Sequence, residues 1–236
     1  MIKQNILLGT LFISILTTSF SQTSKNQLDE NNRRHGFWTK NYENTDQVRY
    51  EGQFEHGKET GEFKFYKLVS GKSVLTATKN FDLSTGIADV VFLASDGKKI
   101  SEGKMKGKLY IGAWVYYHKD NNNIMTSELY DNEGKLEGER KVFYPDGKIA
   151  EIALYKNGQL EGKSKVFAEN GILIKEFTYK NGLLHGPSAF YNDQKELLAE
   201  GNYRNNQKTG VWKYYENGEL KDEKDFTVYS KNPIKQ

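Results

Sequence analysis

Eight glycines, Gly36, Gly61, Gly86, Gly112, Gly138, Gly162, Gly186 and Gly210, recur along the chain at spacings of 25, 25, 26, 26, 24, 24 and 24 residues. A fixed period of this length marks a repeat architecture, in which one supersecondary unit is copied and each copy buries a face against the next. Each glycine opens a run rich in rings or β-branched residues, such as "GFWTKNY", "GEFKFYK", "GAWVYYH" and "GVWKYYE". In a strand of period two, the side chains two places on (Trp38, Phe63, Trp114, Trp212) and four places on (Phe65, Val90, Tyr116, Val142, Val166, Phe190, Tyr214) share one side.

After that strand the chain turns at Asp96-Gly97, Asp146-Gly147, Asn170-Gly171 or Asn217-Gly218, pairs that suit a two-residue type I′ hairpin turn. It returns through segments such as "KIAEIALY" and "ILIKEFTY". A second turn, Asn157-Gly158 or Asn181-Gly182, then leads to the next repeating glycine. Glu133-Gly134 is read as such a second turn, because Asp120 to Asn123 already fills the place of the first. The first three copies are looser, with "ENTDQVR" after Tyr42 and "LVSGKSV" after Tyr66. Hairpin follows hairpin, and no segment carries a helical period.

Only 36% of the 236 residues are hydrophobic, yet 15 Tyr, 13 Phe and 3 Trp are present. Amphipathic rings with few aliphatics suit a thin sheet with partly wet faces. The apolar stretch Ile6 to Phe20, with Ser19 and Ser21 at the small-residue positions before Gln22, predicts a secretory signal peptide over 1–21. Fifteen residues span about 22 Å as a helix, too short for a ~30 Å hydrocarbon core, so no integral membrane segment is expected after cleavage. With 0 cysteines there is neither a lipid-modified Cys nor a disulfide. Without Lys3, 33 basic residues face 31 acidic ones, a balance that gives no electrostatic case for nucleic acid.

"YEGQFEHGKETGEFKFY", Tyr50 to Tyr66, resembles a MORN repeat, and "YKNGLLHG" followed by an aromatic strand resembles the bacterial MORN repeat variant of YwqK-type antitoxins. The resemblance implies an all-β fold: an elongated single-layer antiparallel β-meander of about eight 24–26-residue hairpins, ~75 Å long for sixteen strands. The expected layout is a signal peptide at 1–21, a linker at 22–29, the repeat array at 30–228 and a C-terminal tail at 229–236. Members of such a family generally hold something, as scaffolds or beside a catalytic domain.

Candidate chemistry is sparse. His35 and His185 occupy the same place in different copies nearly 150 residues apart, so a linear array keeps them from sharing a metal. Glu51, Glu102, Glu128, Glu151, Glu176, Glu200 and Glu223 form a row read as a solvated strand face, with Lys148, Lys175, Lys195 and Lys221 placed to neutralise it. Asp222 and Glu223 point to opposite faces of one strand. No catalytic residue, cofactor or metal site is expected. The five-place tyrosines Tyr117, Tyr191 and Tyr215 are predicted to face away from the tryptophans and to form the partner-binding row. The expectation is an exported, non-enzymatic scaffold, in the periplasm or outside the cell, that binds a protein. A cell-wall glycan module and a toxin-neutralising protein are the alternatives.

Overall fold

The computed structural model describes residues 25–227; the expected signal peptide and tail lie outside the described residues. The strands are β1 (Gln27–Leu28), β2 (Arg34–Asn41), β3 (Val48–Glu55), β4 (Lys58–Val69), β5 (Lys72–Phe81) and β6 (Ile87–Leu93). They continue as β7 (Lys99–Lys106), β8 (Leu109–Tyr117), β9 (Ile124–Tyr130), β10 (Gly138–Phe143), β11 (Ile149–Lys156) and β12 (Gln159–Phe167). The last six are β13 (Leu173–Lys180), β14 (Leu183–Leu184), β15 (Gly186–Tyr191), β16 (Leu197–Arg204), β17 (Gln207–Glu216) and β18 (Glu219–Asp225). They form one open antiparallel sheet in chain order, a meander not closed into a barrel. Two strands beyond the sixteen expected are the short β1, paired to β2, and β14, which pairs with β13 ahead of Gly186.

All eight repeating glycines have positive φ, from 63° at Gly61, Gly112 and Gly210 to 109° at Gly186. That conformation is costly for any residue with a Cβ, which is why the period is written in glycine. At Gly61, Gly112, Gly162 and Gly210 the outgoing strand carries two more residues than its neighbour, so the register steps at each of these junctions.

Four of the second turns are of type I′: His56-Gly57, Asn157-Gly158, Asn181-Gly182 and Asn205-Asn206 have two consecutive positive φ values, whereas at Gly107 and Gly134 the glycine alone is left-handed. Of the first turns predicted to be I′, only Asn217-Gly218 is. At Gly97, Gly147 and Gly171 the glycine alone is left-handed, and its N–H closes a type I turn on Ala94, Tyr144 and Ala168. Asp96, Asp146 and Asn170 instead accept a hydrogen bond from the backbone N–H two residues on, at 3.1, 3.0 and 3.0 Å. This local bond stabilises a three-residue loop over the two-residue one. Glu133-Gly134 is a second turn as expected, with Gly134 N–H bonded to Asp131.

Each hairpin also carries a β-bulge on its return strand. The extra residues are Arg49, Thr76, Ile100, Met125, Ala150, Ile174, Leu198 and Lys221. Recurring at one margin of the sheet, they push one side chain per unit out of the ladder.

The core is a stripe along one face, here the ring face. Trp114 and Trp212 are 0% exposed and Phe63 1%, although no second layer covers them among the described residues. Opposite each ring lies a glycine: a Cβ on Gly52, Gly103 or Gly201 would come within 2.4, 2.4 and 2.3 Å of Phe63, Trp114 and Trp212. The rings therefore lie flat across bare backbone. Where the same position is small, as at Ser164, its neighbours are Ala153 and Phe177 instead. A further row pairs Phe54, Phe81, Tyr130, Tyr155, Tyr179 and Tyr203 with the repeating glycines, which places the tyrosine of each "Tyr-Lys-Asn-Gly" on the ring face.

Candidate functional site

The residue two places before the repeating glycine is carried over the ring two places after it. Tyr110 stacks on Trp114 with centroids 3.9 Å apart and a 12° interplanar angle. In the end units a cation takes this place: the Lys208 ammonium lies 4.1 Å from the Trp212 ring, and Arg34 lies 5.9 Å from Trp38 and 4.0 Å from Phe54. These lids complete the burial of Trp114 and Trp212, while Trp38 stays half-buried.

Other rings on this face are covered less. Phe65, Tyr116, Phe190 and Tyr214, four places after their glycines, and Phe92, six places after Gly86, are half-buried, and along β4 to β8 three of these five alternate with Ala77 and Ser101 in one paired row. The small residues leave a groove of about 700 Å³ between the rings. Trp114 with Tyr116, Trp212 with Tyr214, and Phe63 with Phe65 share this face, as predicted.

Tyr117 and Tyr215 point to the far face, and so does Tyr66, which holds the same place in its unit. Each hydroxyl donates to a glutamate fifteen residues earlier: Tyr66 to Glu51 at 2.7 Å, Tyr215 to Glu200 at 2.8 Å, and Tyr117 to Glu102. Burial, and then the adjacent carboxylate, push the Tyr66 and Tyr117 phenols up to about 12. For Tyr215 the bond to Glu200 comes first and again raises the phenol. Tyr191 has no such bond among the described residues; Glu176, fifteen residues earlier, is engaged by Lys163 at 2.9 Å. All three predicted tyrosines are half-buried rather than openly exposed.

The row of glutamates is divided between the faces, which corrects the sequence reading. Glu51, Glu102, Glu176, Glu200 and Glu223 lie on the far face, where Lys64, Lys165 and Lys213 pair with members of the row. Glu128 and Glu151 pair with Trp114 and Val142 on the ring face, where Arg140 holds Glu128 at 3.0 Å. Loop length and bulges set which face a return strand presents at a given residue, so equal sequence position does not give equal side. For the same reason Lys175 falls on the ring face, paired with Val166, Lys148 and Lys195 fall at turns, and Lys221 is a bulge residue.

Two contacts between successive units were not anticipated. The residue six places after the glycine reaches the five-place carbonyl of the next unit: Tyr42 donates to Tyr66 at 2.6 Å, Tyr144 to Phe167 at 2.8 Å, and His118 Nε2 lies 3.0 Å from the Phe143 oxygen. The residue just before the glycine reaches the next second turn, where Glu137 and Glu161 accept from the N–H groups of Asn157 and Asn181. His185 stands in that same place, with Nδ1 3.4 Å from the Asn205 side-chain oxygen. The signal was visible as a polar residue before the glycine and an Asn in the following turn.

His35 meets His56, not His185, with ring centroids 5.0 Å apart. His56 Nδ1 is 2.7 Å from Asp29, and Arg33 bonds the same carboxylate. Burial alone would raise Asp29, but the bonds from His56, Arg33 and the backbone hold it well below the usual carboxylate range. Among the described residues no group of three or more His, Asp or Glu side chains is placed to hold a metal ion. Nor is any helix there long and apolar enough to cross a membrane.

Residues 136–157 and 160–181 match the family model described as MORN repeat variant. This is a MORN-like repeat protein. The two matched stretches take in most of β10 to β13 with the type I turns at Gly147 and Gly171, and the MORN-like pattern of glycine, ring and hairpin continues over the described array. MORN repeats point to a binding or scaffold role. Among solved structures, the chain is similar to a crystal structure of an S. aureus TarM mutant in complex with Fondaparinux, alpha-GlcNAc-glycerol and UDP. That likeness has 13% identity and a TM-score of 0.32, covers 52% of this chain and spans only 21% of the other, and carries no argument about fold or activity.

Proposed function

We propose that the protein is an exported, non-enzymatic scaffold that binds a protein partner along one face of its sheet. The observation that carries this reading is the row of half-buried rings on a face that no second layer covers among the described residues, repeated from unit to unit over much of the array. A solvent-facing periodic row of rings offers large contact area at small entropic cost. Export is supported by the apolar stretch Ile6 to Phe20 with Ser19 and Ser21 before Gln22. Of the predicted tyrosine row on the opposite face, Tyr191 alone makes no hydrogen bond through its hydroxyl among the described residues, and that row is secondary to the ring face as a docking surface.

Affinity capture with residues 22–236 from envelope extract of the source organism tests the reading. A saturable protein partner is expected, and its capture should fall when Phe65 and Tyr116 are both replaced by alanine in a protein that still folds. Retention on insoluble cell-wall polysaccharide, with no protein captured, would replace this reading with a glycan module.

A further inference from the structure

We infer that the ring face between β4 and β8 is a docking groove for an acidic peptide segment of the partner, anchored by apolar or aromatic side chains. This rests on the protein-binding reading and adds the chemistry of the occupant. The groove's volume of about 700 Å³ is in the range of small-ligand sites. Phe65, Phe92 and Tyr116 wall it on alternate strands, about 9.6 Å apart. Ala77 and Ser101, 6% and 4% exposed, form the floor between them. Each interval admits one side chain. Ile100, pushed out by its bulge to 48% exposure, supplies an apolar rim.

Charge names the occupant. Lys67 and Lys79 line the groove and no carboxylate does. The Lys79 ammonium lies 5.7 Å from the Phe65 ring centroid, and among the described residues neither lysine is held in a salt bridge. Elsewhere on the ring face of β2 to β5, Arg34 packs on Phe54 and Lys40 pairs with Tyr50, against the single carboxylate of Glu59. The far face of neighbouring strands carries Glu51, Glu62, Asp89 and Glu102 with their lysine partners. An acidic segment is thus drawn to one side of the sheet. Of the hydroxyls that line the groove, that of Thr76 already bonds the Phe65 carbonyl at 3.4 Å.

Fluorescence anisotropy with residues 22–236 and a labelled pentapeptide of alternating Asp and Phe tests the inference. One saturable site is expected, with the Lys/Phe and Asp/Ser counterparts at least tenfold weaker. Lys79→Glu and, separately, Lys67→Glu should each weaken the Asp/Phe peptide at least fivefold with unchanged thermal unfolding. If Lys79→Glu unfolds, Lys67→Glu decides, because Lys67 is exposed. Equal binding of the Lys/Phe peptide, or no loss in a folded lysine variant, would overturn the proposal. So would polygalacturonate binding where the acidic peptide does not. Failure of the peptides while the chain still captures a saturable protein partner would sink this inference alone; failure of both would sink the protein-binding reading as well.

Discussion

Gly201→Ala adds one methyl group to an open strand, a change that would ordinarily stabilise by about 0.4–1 kcal/mol through the unfolded chain. Here the sign should reverse. The new Cβ would stand 2.3 Å from Cδ2 of Trp212, whereas carbon atoms pack best at about 3.5–4.0 Å, so the ring must retreat by more than about 1 Å. It has little freedom to do so. Nε1 donates to the Asn202 carbonyl at 3.0 Å, Tyr203 packs edge-on at 5.1 Å and Lys208 caps the ring. The expected cost is about 1–3 kcal/mol, typical of overpacking. Trp212→Ala should cost about 3–5 kcal/mol. In that background Gly201→Ala should become neutral or stabilising, a coupling of about 2 kcal/mol in a double-mutant cycle. Urea unfolding followed by far-UV circular dichroism measures all four proteins. An equal cost for Gly201→Ala with and without the indole would refute the claim that this glycine exists to seat the ring.

The same logic extends to the other repeating devices. Gly112→Ala, at φ 63° with open space around it, should lose about 1–2 kcal/mol from backbone strain alone, read from the urea midpoint. Tyr144→Phe should lose about 1 kcal/mol with the bond to Phe167, while Tyr191→Phe should leave the midpoint unchanged. Deleting one whole unit, Gly162 to His185, should leave a folded, shorter sheet by circular dichroism and small-angle scattering; complete unfolding would count against nearest-neighbour stability. Tyr66 and Tyr117 stay neutral in the native state up to about pH 12 but ionise near 10 when unfolded, so stability should fall as pH rises from about 10 towards 12. Tyr66→Phe should remove part of the high-pH tyrosinate absorbance step and move alkaline unfolding upward.

The period was legible because it is written in backbone conformation: glycine adopts at least cost the left-handed φ that recurs at Gly36 through Gly210. The side of the tryptophans was legible because strand one runs without a bulge from the two-place to the five-place residue. Return strands were not. One added residue per hairpin, together with first loops of unequal length, decides whether a glutamate such as Glu151 faces with or against Glu51. The pairings of Gly52, Gly103 and Gly201 with their rings were hidden for a related reason, since they lie across strands rather than along one. The tyrosine row was placed on the correct face, but a single chain position says nothing of the glutamate fifteen residues earlier that takes up the hydroxyl.

Contacts such as Tyr144 to Phe167 and Glu161 to Asn181 run from one unit to the next and no further. A unit gained by duplication brings both halves of every such contact with it, and a unit lost takes both away. The chain can therefore change length in steps of about 9.6 Å without leaving a donor stranded or a ring uncovered. Copy number would then act as a ruler, setting how far apart two bound objects sit while the chemistry of each binding place stays the same.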